Sequence, residues 1–152
     1  ADADINTNPY EIGLGRLVNL DIDANFIGKD ALTKINKVGI KRKQVGIILD
    51  CKPLEGPNTT FWEITKNDKI VGKITSAVYS PRLKKNIGLA MVLKEVSEFG
   101  TELNVKILSK TVKATIVEKP FYDPKKKLAA NWDKGVFKKL WWSLEIIFLY
   151  IY

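Results

Sequence analysis

Residues 103–117 read LNVKILSKTVKATIV, and this stretch decides the fold class. Apolar and polar side chains alternate through Leu103–Leu108 and along most of Val112–Val117. A period of two residues is typical of a strand that buries one face. Because only Ser109-Lys110-Thr111 separates the two runs, we predict a tight antiparallel hairpin.

Further strand patterns precede this hairpin. Phe61–Thr65 and Lys69–Thr75 flank the turn signal Lys66-Asn67-Asp68, which predicts a second hairpin. Val45–Leu49 and Ile87–Val92 are continuous apolar runs, as expected of buried strands. About six short strands in succession predict a mainly β fold, a small antiparallel barrel or sandwich, and we expect a six-stranded β-barrel with a short N-terminal helical segment.

The helical pattern lies before the strands. Ala31, Leu32 and Ile35 share one helical face, and Gly39 is placed to end that helix. One or two further helical turns are expected in Pro9–Gly15 with Asn8 as N-cap, followed by a short strand over Leu17–Leu20. The side chains expected to be buried together in the barrel include Ile47, Leu49, Ile74, Ile87, Leu89, Val105, Ile107 and Ile116.

The composition limits the chemistry that the chain can perform. Its 152 residues are 45% hydrophobic and 28% charged, close to ordinary globular usage, with no His and one cysteine. No catalytic triad, zinc cluster or intrachain disulfide can form from this set. Cys51 is interpreted as a small core hydrophobe, and the carboxylate pairs Asp2/Asp4 and Asp21/Asp23 as solvated loop acids. We therefore predict no catalytic and no metal-binding residue in this chain.

The net charge of +8 is unevenly distributed. Residues 1–30 hold six acidic and two basic side chains, a local charge of −4, so the remainder carries +12. A basic barrel could bind single-stranded nucleic acid, with Phe61, Trp62 and Tyr79 as its stacking residues. Only three of the 25 bases are Arg, the residue that base-specific contacts favour. A lysine-rich solvated surface is therefore the preferred interpretation, and no nucleic-acid partner is predicted.

Residues 125–152 differ from the rest of the chain. A run of three lysines is followed by residues 136–152, of which 13 of 17 are apolar or aromatic. The apolar stretch after Glu145 has seven residues, whereas a spanning helix needs about 20, so no membrane span is predicted and no membrane is among the expected partners. An amphipathic surface helix, an element covering the barrel and a non-native tail all remain open, and the abrupt change in composition favours the last.

Short patterns recur in a fixed order between residues 8 and 124. They are NPYEIGLG at 8–15, NFIGKDAL at 25–32, VGI at 45–47, VGKITS at 71–76, SPRLKKNIGLA at 80–90, GTELNV at 100–105 and KPFYDP at 119–124. Over roughly residues 4–124 the chain resembles the C-terminal part of the aminomethyltransferase family, which includes the glycine-cleavage T-protein and dimethylsulfoniopropionate demethylase. SAVYSP at 76–81 and FYDP at 121–124 look more like the demethylase branch.

This resemblance implies a cytoplasmic tetrahydrofolate-dependent transferase of one-carbon units, built as a ring of three domains with folate in the central opening. Residues 1–30 would then be the end of a preceding folate-binding domain and its linker, residues 31–124 the C-terminal barrel, and residues 125–152 an atypical tail. The family's catalytic Asp and main folate-binding Glu precede residue 1. The implied partners are the missing N-terminal folate-binding domains and a small one-carbon donor, and the chain alone is expected to be inert.

Two arginines are the candidate contacts to the cofactor. Arg82 belongs to a local basic group with Lys84 and Lys85, which could attract an anionic ligand such as a polyglutamate tail. Arg16 follows a Gly-x-Gly turn and is expected to pair with Asp21 or Asp23 more readily than with a ligand. Where the resemblance would place a folate-contacting Arg of T-proteins, this chain has Ile22 and Asp23.

Overall fold

The computed structural model describes residues 2–125 and 127, which include six strands and one α-helix. Residues up to Phe121 form one compact unit. The helix α1 spans Lys29–Val38, and short 3₁₀ turns occupy Gly15–Leu17 and Lys94–Val96. The strands are β1 (Arg42–Asp50), β2 (Trp62–Lys66), β3 (Lys69–Ser80), β4 (Lys85–Leu93), β5 (Glu102–Ile107) and β6 (Lys110–Val117).

The six strands close into an antiparallel barrel in the order β1-β4-β3-β2-β5-β6. The predicted mainly β fold, the six-stranded barrel and the short helix are confirmed. Closure gives each of these strands two neighbours, which removes the unpaired edges that favour aggregation. The interior is apolar and contains Val45, Ile47, Leu49, Ile64, Val71, Ile74, Ala77, Ala90, Val92, Leu103, Val105, Ala114 and Ile116.

The predicted hairpin turns are present, with one shift. Asn67 and Asp68 both have positive φ (50° and 59°), the geometry of the predicted turn between β2 and β3. The final hairpin turns at Leu108 and Ser109, one residue earlier than predicted, so that Lys110 already belongs to β6. Ile107 packs half-buried against the core, which confirms the predicted phase of β5.

The prediction that Ile87 and Leu89 belong to the barrel interior is wrong. Both are half-buried, whereas Asn86, Gly88, Ala90 and Val92 are buried between and beside them. Asn86 and Gly88 lie opposite Leu49 and Ile47 of β1, and residues paired across strands share a face. The sequence of β4 does not show which residues face inward, because the outer face of this strand is apolar too. Ile87 and Leu89 line a groove of about 210 Å³ together with Phe121 on that outer face.

The N-terminal segment also differs from expectation. Leu17–Leu20 forms no strand, since Gly15–Leu17 is a 3₁₀ turn and the Asn19 side chain accepts a hydrogen bond from the Asp21 amide (3.1 Å). That local bond is typical of an Asx turn, which competes with extended structure. The helix α1 ends as predicted at Gly39, whose φ is +88° and whose amide donates to the Ile35 carbonyl.

Gly72 shows why a small residue is needed inside a strand. A Cβ atom at this position would lie 2.3 Å from the Met91 carbonyl oxygen and 2.8 Å from Val92 Cα. The register of β2 against β3 shifts between Ile64 and Thr65, next to the Gly72 pairing. A register shift and a close backbone approach thus coincide at Gly72, and β3 can pack against β4 because no side chain intervenes.

Candidate functional site

The two candidate arginines lie on different elements. Arg16 is exposed in the 3₁₀ turn Gly15–Leu17. Within the part of the chain that the structure describes, Arg16 forms no ion pair with Asp21 or Asp23, so the expected pairing is wrong. Arg82 is exposed in the turn that joins β3 to β4. The structure tests neither as a ligand contact, and both stay predictions.

The pattern NPYEIGLG folds into a self-capped turn. Asn8 Oδ1 accepts hydrogen bonds from the amides of Tyr10 and Glu11 (both 3.1 Å), and Glu11 Oε2 accepts one from the Asn8 amide (3.2 Å). This reciprocal arrangement satisfies amides at the start of a helical turn, as in a capping box. A Cβ on Gly15 would lie 2.8 Å from Tyr10 Cδ1, so Gly15 leaves room for the Tyr10 ring.

The Glu11–Arg42 pair joins this turn to the barrel. Arg42 Nε donates to Glu11 Oε1 (2.9 Å) and Arg42 Nη2 to Glu11 Oε2 (3.3 Å). The hydrogen bond to the buried Glu11 raises the pKa of Arg42 above its ordinary value. The Gln44 amide donates to the Glu11 carbonyl (2.7 Å), which is a backbone bond between the turn and β1. Charge-assisted bonds in this bidentate geometry fix orientation as well as position.

Asp2 makes a second attachment to the outside of the barrel. Its Oδ1 accepts hydrogen bonds from Thr75 Oγ1 (2.6 Å) and Ser76 Oγ (2.8 Å), where the register of β3 against β4 shifts. Gln44 Nε2 donates to the Asp2 carbonyl (3.2 Å), and Lys119 Nζ donates to Gln44 Oε1 (2.7 Å). Burial lowers the pKa of Lys119, and the nearby Lys43 lowers it further. Residues 2–11 therefore follow a defined path over β1 and β3.

Two apolar clefts border this path. One of about 420 Å³ lies between the self-capped turn, the end of α1 and the start of β1; Ile35, Val38 and Ile40 line it beside the Glu11–Arg42 pair. The other, of about 290 Å³, is lined by Tyr10 and Ile35 with two lysines, Lys43 and Lys94. Apolar walls with cationic side chains at the rim suit a flat, anionic ligand or the surface of another domain.

Loop 51–60 is fixed by asparagine side chains. Asn86, buried inside β4, accepts a bond from the Leu54 amide (2.9 Å) and donates to the carbonyls of Cys51 (2.9 Å) and Lys52 (3.0 Å). Asn58 Oδ1 accepts a bond from the Ala77 amide of β3 (2.6 Å). Burial raises the pKa of the Cys51 thiol above its ordinary value, which suits the predicted role as a small hydrophobe.

The three aromatic residues considered for base stacking do not act as a set. Trp62 packs against the barrel core, whereas Phe61 is half-exposed with Lys73 Nζ 4.2 Å from its ring centroid. Tyr79 is half-buried at the far end of β3. A row of exposed rings along one face, which a single-strand binding surface requires, is not formed by these residues.

The Asn8 side chain caps the turn as predicted, but sequence reasoning missed the roles of Glu11 and Asp2 in attaching the N-terminal segment. Asn8 and Glu11 stand three apart, the spacing of a capping box, and that signal was available. These contacts join residues far apart in sequence, so no local pattern predicts them. They are the contacts of Glu11 with Arg42 and of Asp2 with Thr75 and Ser76. Among residues 2–125 and 127, no helix has the length and apolar character needed to cross a bilayer.

Comparison with known proteins gives consistent matches. The family model described as glycine cleavage T-protein C-terminal barrel domain matches residues 42–123. An aminomethyltransferase of Clostridium botulinum (strain Langeland) is 41% identical over 127 residues, which cover 83% of this chain and 33% of that protein. An aminomethyltransferase of Bacillus pumilus is 42% identical over 115 residues, covering 76% and 31%.

A solved structure has the same fold. The crystal structure of the glycine cleavage system aminomethyltransferase T from Bartonella henselae superposes with a TM-score of 0.67 at 21% identity. The match covers 76% of this chain and 32% of that one. The chain thus spans about a third of the length of the relatives it matches.

Proposed function

Because this chain belongs to the glycine cleavage T-protein family through its C-terminal barrel domain, we propose that it is the barrel of a tetrahydrofolate-dependent aminomethyltransferase. Its partners are then the N-terminal folate-binding domains and a small one-carbon donor. A cytoplasmic location is part of the proposal, since the single cysteine leaves no intrachain disulfide.

The observation that carries the proposal is the family match over residues 42–123, in a chain that covers about a third of its relatives. The path of residues 2–11 supports it. Glu11 and Asp2 attach these residues at two separate points on the barrel. A chain entering from a preceding domain would therefore reach the barrel in a fixed direction, and the barrel would be oriented towards that domain.

The chain's own residues suit a binding wall rather than a reaction centre. Transfer of a one-carbon unit to folate needs the donor carbon held close to the accepting nitrogen and a polar group that stabilises developing charge. The sequence has no His, and Asp21 and Asp23 are exposed loop acids. We infer that catalysis depends on residues outside this chain and that the chain alone is inert.

Tetrahydrofolate fits this surface as one side of a site. Its glutamate carboxylates suit arginine, so Arg16 and Arg82 are the proposed contacts to its anionic end. Its flat ring system suits an apolar cleft such as the one lined by Ile35, Val38 and Ile40. When bound, the cofactor supplies the nitrogen that accepts the one-carbon unit.

The first experiment uses the isolated chain. Isothermal titration with tetrahydrofolate should give a Kd no tighter than roughly 1 mM, about −4 kcal/mol, because one wall buries little of the ligand. Turnover of an aminomethyl donor should be undetectable. Micromolar binding would show that the barrel supplies most of the pocket, and turnover would place the reaction centre inside this chain.

The second experiment supplies the missing part. The chain is fused in place of the matched third of the Clostridium botulinum relative, and folate-dependent consumption of an aminomethyl donor is measured beside that of dimethylsulfoniopropionate. We expect activity with the aminomethyl donor, as the relatives' names suggest. Activity with dimethylsulfoniopropionate alone would instead favour the demethylase branch, which the patterns at residues 76–81 and 121–124 resemble.

The arginines are tested in the same fusion. Arg16→Gln and Arg82→Gln should each raise the KM for tetrahydrofolate, about tenfold if a single charged hydrogen bond is lost, and leave kcat close to its original value. Lys106→Gln, an exposed cation on β5, is the matched control and should change neither constant. An unchanged KM in both arginine variants would remove them from the site.

A further inference from the structure

A further apolar cleft, of about 410 Å³, lies on the outer face of the barrel where β3 and β4 run side by side. The buried residues Met91 and Val92 line it, with Ile70 of β3 on one side and Leu93 of β4 on the other. Ile70 is 64% exposed and Leu93 is 42% exposed. No contact described above uses this surface, here called the β3–β4 cleft. Large exposed hydrophobic side chains beside an apolar hollow suit a protein partner.

The cations beside the β3–β4 cleft are already held in place. Arg42 donates from Nε and Nη2 to the Glu11 carboxylate. Lys73 Nζ lies 4.2 Å from the centroid of the Phe61 ring, and a cation over an aromatic face is attracted to that face. The cleft therefore keeps its shape without a partner, which lowers the entropic cost of binding one.

The strand order places matching features on both sides of the cleft. In the order β1-β4-β3-β2, β4 and β3 are central and β1 and β2 lie at the margins. Ile70 on β3 matches Leu93 on β4, since both are apolar and exposed. Arg42 on β1 and Glu63 on β2 carry opposite charges at the two margins. A two-fold rotation about a line along the cleft brings Ile70 opposite Leu93 and Glu63 opposite Arg42.

We propose that the β3–β4 cleft is the contact surface for a second copy of this chain, in a two-fold dimer that packs Ile70 of each copy against Leu93 of the other. Glu63 then faces Arg42 of the other copy. The Arg42 guanidinium has five N–H donors, so donors remain beside its bonds to Glu11.

Charge favours a second copy over a different partner. The chain carries +8, and a strongly acidic partner would bind best where the surface is uniformly basic. The β3–β4 cleft instead has the acid Glu63 at one margin and the base Arg42 at the other, and a second surface of the same kind complements both. A single cleft of this size predicts a weak, concentration-dependent dimer. The inference goes beyond the proposed function and does not depend on it.

Sedimentation velocity over a range of chain concentrations measures the association. We expect a monomer–dimer equilibrium, and Ile70→Gln should raise the dimer dissociation constant at least about tenfold. Leu108→Gln, 87% exposed between β5 and β6, is the matched control and should leave it unchanged. Glu63→Lys should also weaken the dimer, whereas Glu102→Lys, on β5, should not. All four side chains are exposed, so the variants should fold.

Disulfide trapping tests the two-fold arrangement. In a Cys51→Ala background, Ile70→Cys and Leu93→Cys are prepared as separate chains and mixed under mild oxidation. We expect a disulfide-linked pair in the mixture and far less in either chain alone, because each side chain lies opposite the other kind and disulfides form only at short range. Ile70→Cys mixed with Leu108→Cys is the control and should remain unlinked.

Three outcomes would overturn the proposal. One is a chain that stays monomeric, or a dimer that Ile70→Gln and Leu108→Gln weaken equally. Another is association that no variant of the cleft changes, which would assign it to a different part of the chain, such as the apolar residues 136–152. The third is a covalent fusion, as described above, that remains monomeric while the isolated chain pairs, since the preceding domains would then cover the cleft. None of these results concerns turnover, so each leaves the proposed function standing.

Discussion

The barrel and the N-terminal segment, residues 2–28, are held by opposite kinds of interaction. The barrel interior is entirely aliphatic apart from Asn86 at one end. Within residues 2–28, all of which the structure describes, the one buried residue is Glu11. The barrel is therefore stabilised by removal of apolar area from water, whereas the segment is attached by hydrogen bonds and an ion pair.

The difference has a consequence for stability. Apolar burial contributes cooperatively to the whole barrel, so losing part of it should unfold the domain. Hydrogen bonds between partly solvated groups contribute about 1 kcal/mol each, so losing one should release a segment and leave the barrel folded. A segment that is attached but not buried can still direct its exposed apolar side chains towards another domain.

The sharpest contrast is between Ile47→Ala and Leu17→Ala. Ile47 is 0% exposed in the barrel core, and its truncation should cost about 2–5 kcal/mol because a cavity remains. Leu17 is exposed, and the same change should cost less than about 0.5 kcal/mol. Urea denaturation followed by tryptophan fluorescence measures both. Comparable losses at the two sites would mean that the N-terminal segment belongs to the core after all.

Asn86→Ala tests the one polar residue inside the barrel. It leaves the Leu54 amide and the carbonyls of Cys51 and Lys52 without their partner, which should cost about 1–3 kcal/mol. Asn104→Ala, on the exposed face of β5, is the control and should be close to neutral. A neutral Asn86→Ala would show that loop 51–60 does not need this side chain to keep its conformation.

The sequence predicts the barrel better than the N-terminal segment, and within the barrel it predicts local features best. Alternation predicted the phase of β5, and the Asn67-Asp68 signal predicted the turn between β2 and β3, because period and turn chemistry are local. The phase of β4 could not be derived, since apolar residues on both faces erase alternation and only pairing with β1 reveals that Gly88 points inward.

The N-terminal segment was harder to predict. Its extended run Leu17–Leu20 resembles a strand by composition, but the closed barrel offers it no edge to pair with. Glu11 and Arg42 are 31 positions apart, and the sequence alone does not show which acidic side chain pairs with which basic one. The roles of Arg16 and Arg82 depend on a ligand and on domains outside the chain, so they remain predictions.

A smaller effect is expected from Glu11→Gln. The change removes the charge from the pair with Arg42 and keeps a side chain able to hydrogen-bond, so we expect a loss of about 1 kcal/mol, limited by solvent access to Arg42. Hydrogen exchange should quicken at the Leu14, Leu17 and Gln44 amides and stay unchanged within β5 and β6. Glu98→Gln is the exposed control. Global destabilisation equal to that of Ile47→Ala would contradict the division between the two regions.

The smallest expected effect concerns the Cys51 thiol, where the barrel meets loop 51–60. Burial raises the pKa of this thiol above its ordinary value of 9.0; the neighbouring Asp50 raises it further, and the hydrogen bond from Asn86 opposes the change. The native state thus keeps its proton to higher pH than the unfolded state does. This contribution to stability is present below about pH 9.0 and is lost as the pH rises through the native value.

Alkylation by iodoacetamide, followed between neutral pH and pH 10, should show a native midpoint above that of the same chain in urea, with slower reaction throughout. Asn86→Ala releases loop 51–60 and so exposes the thiol, and this loss of burial should outweigh the loss of the pKa-lowering hydrogen bond and move the native curve towards the unfolded one. A native midpoint below the unfolded one would mean that the thiolate is stabilised, and Cys51 would then have to be considered as a reactive residue rather than part of the barrel's packing.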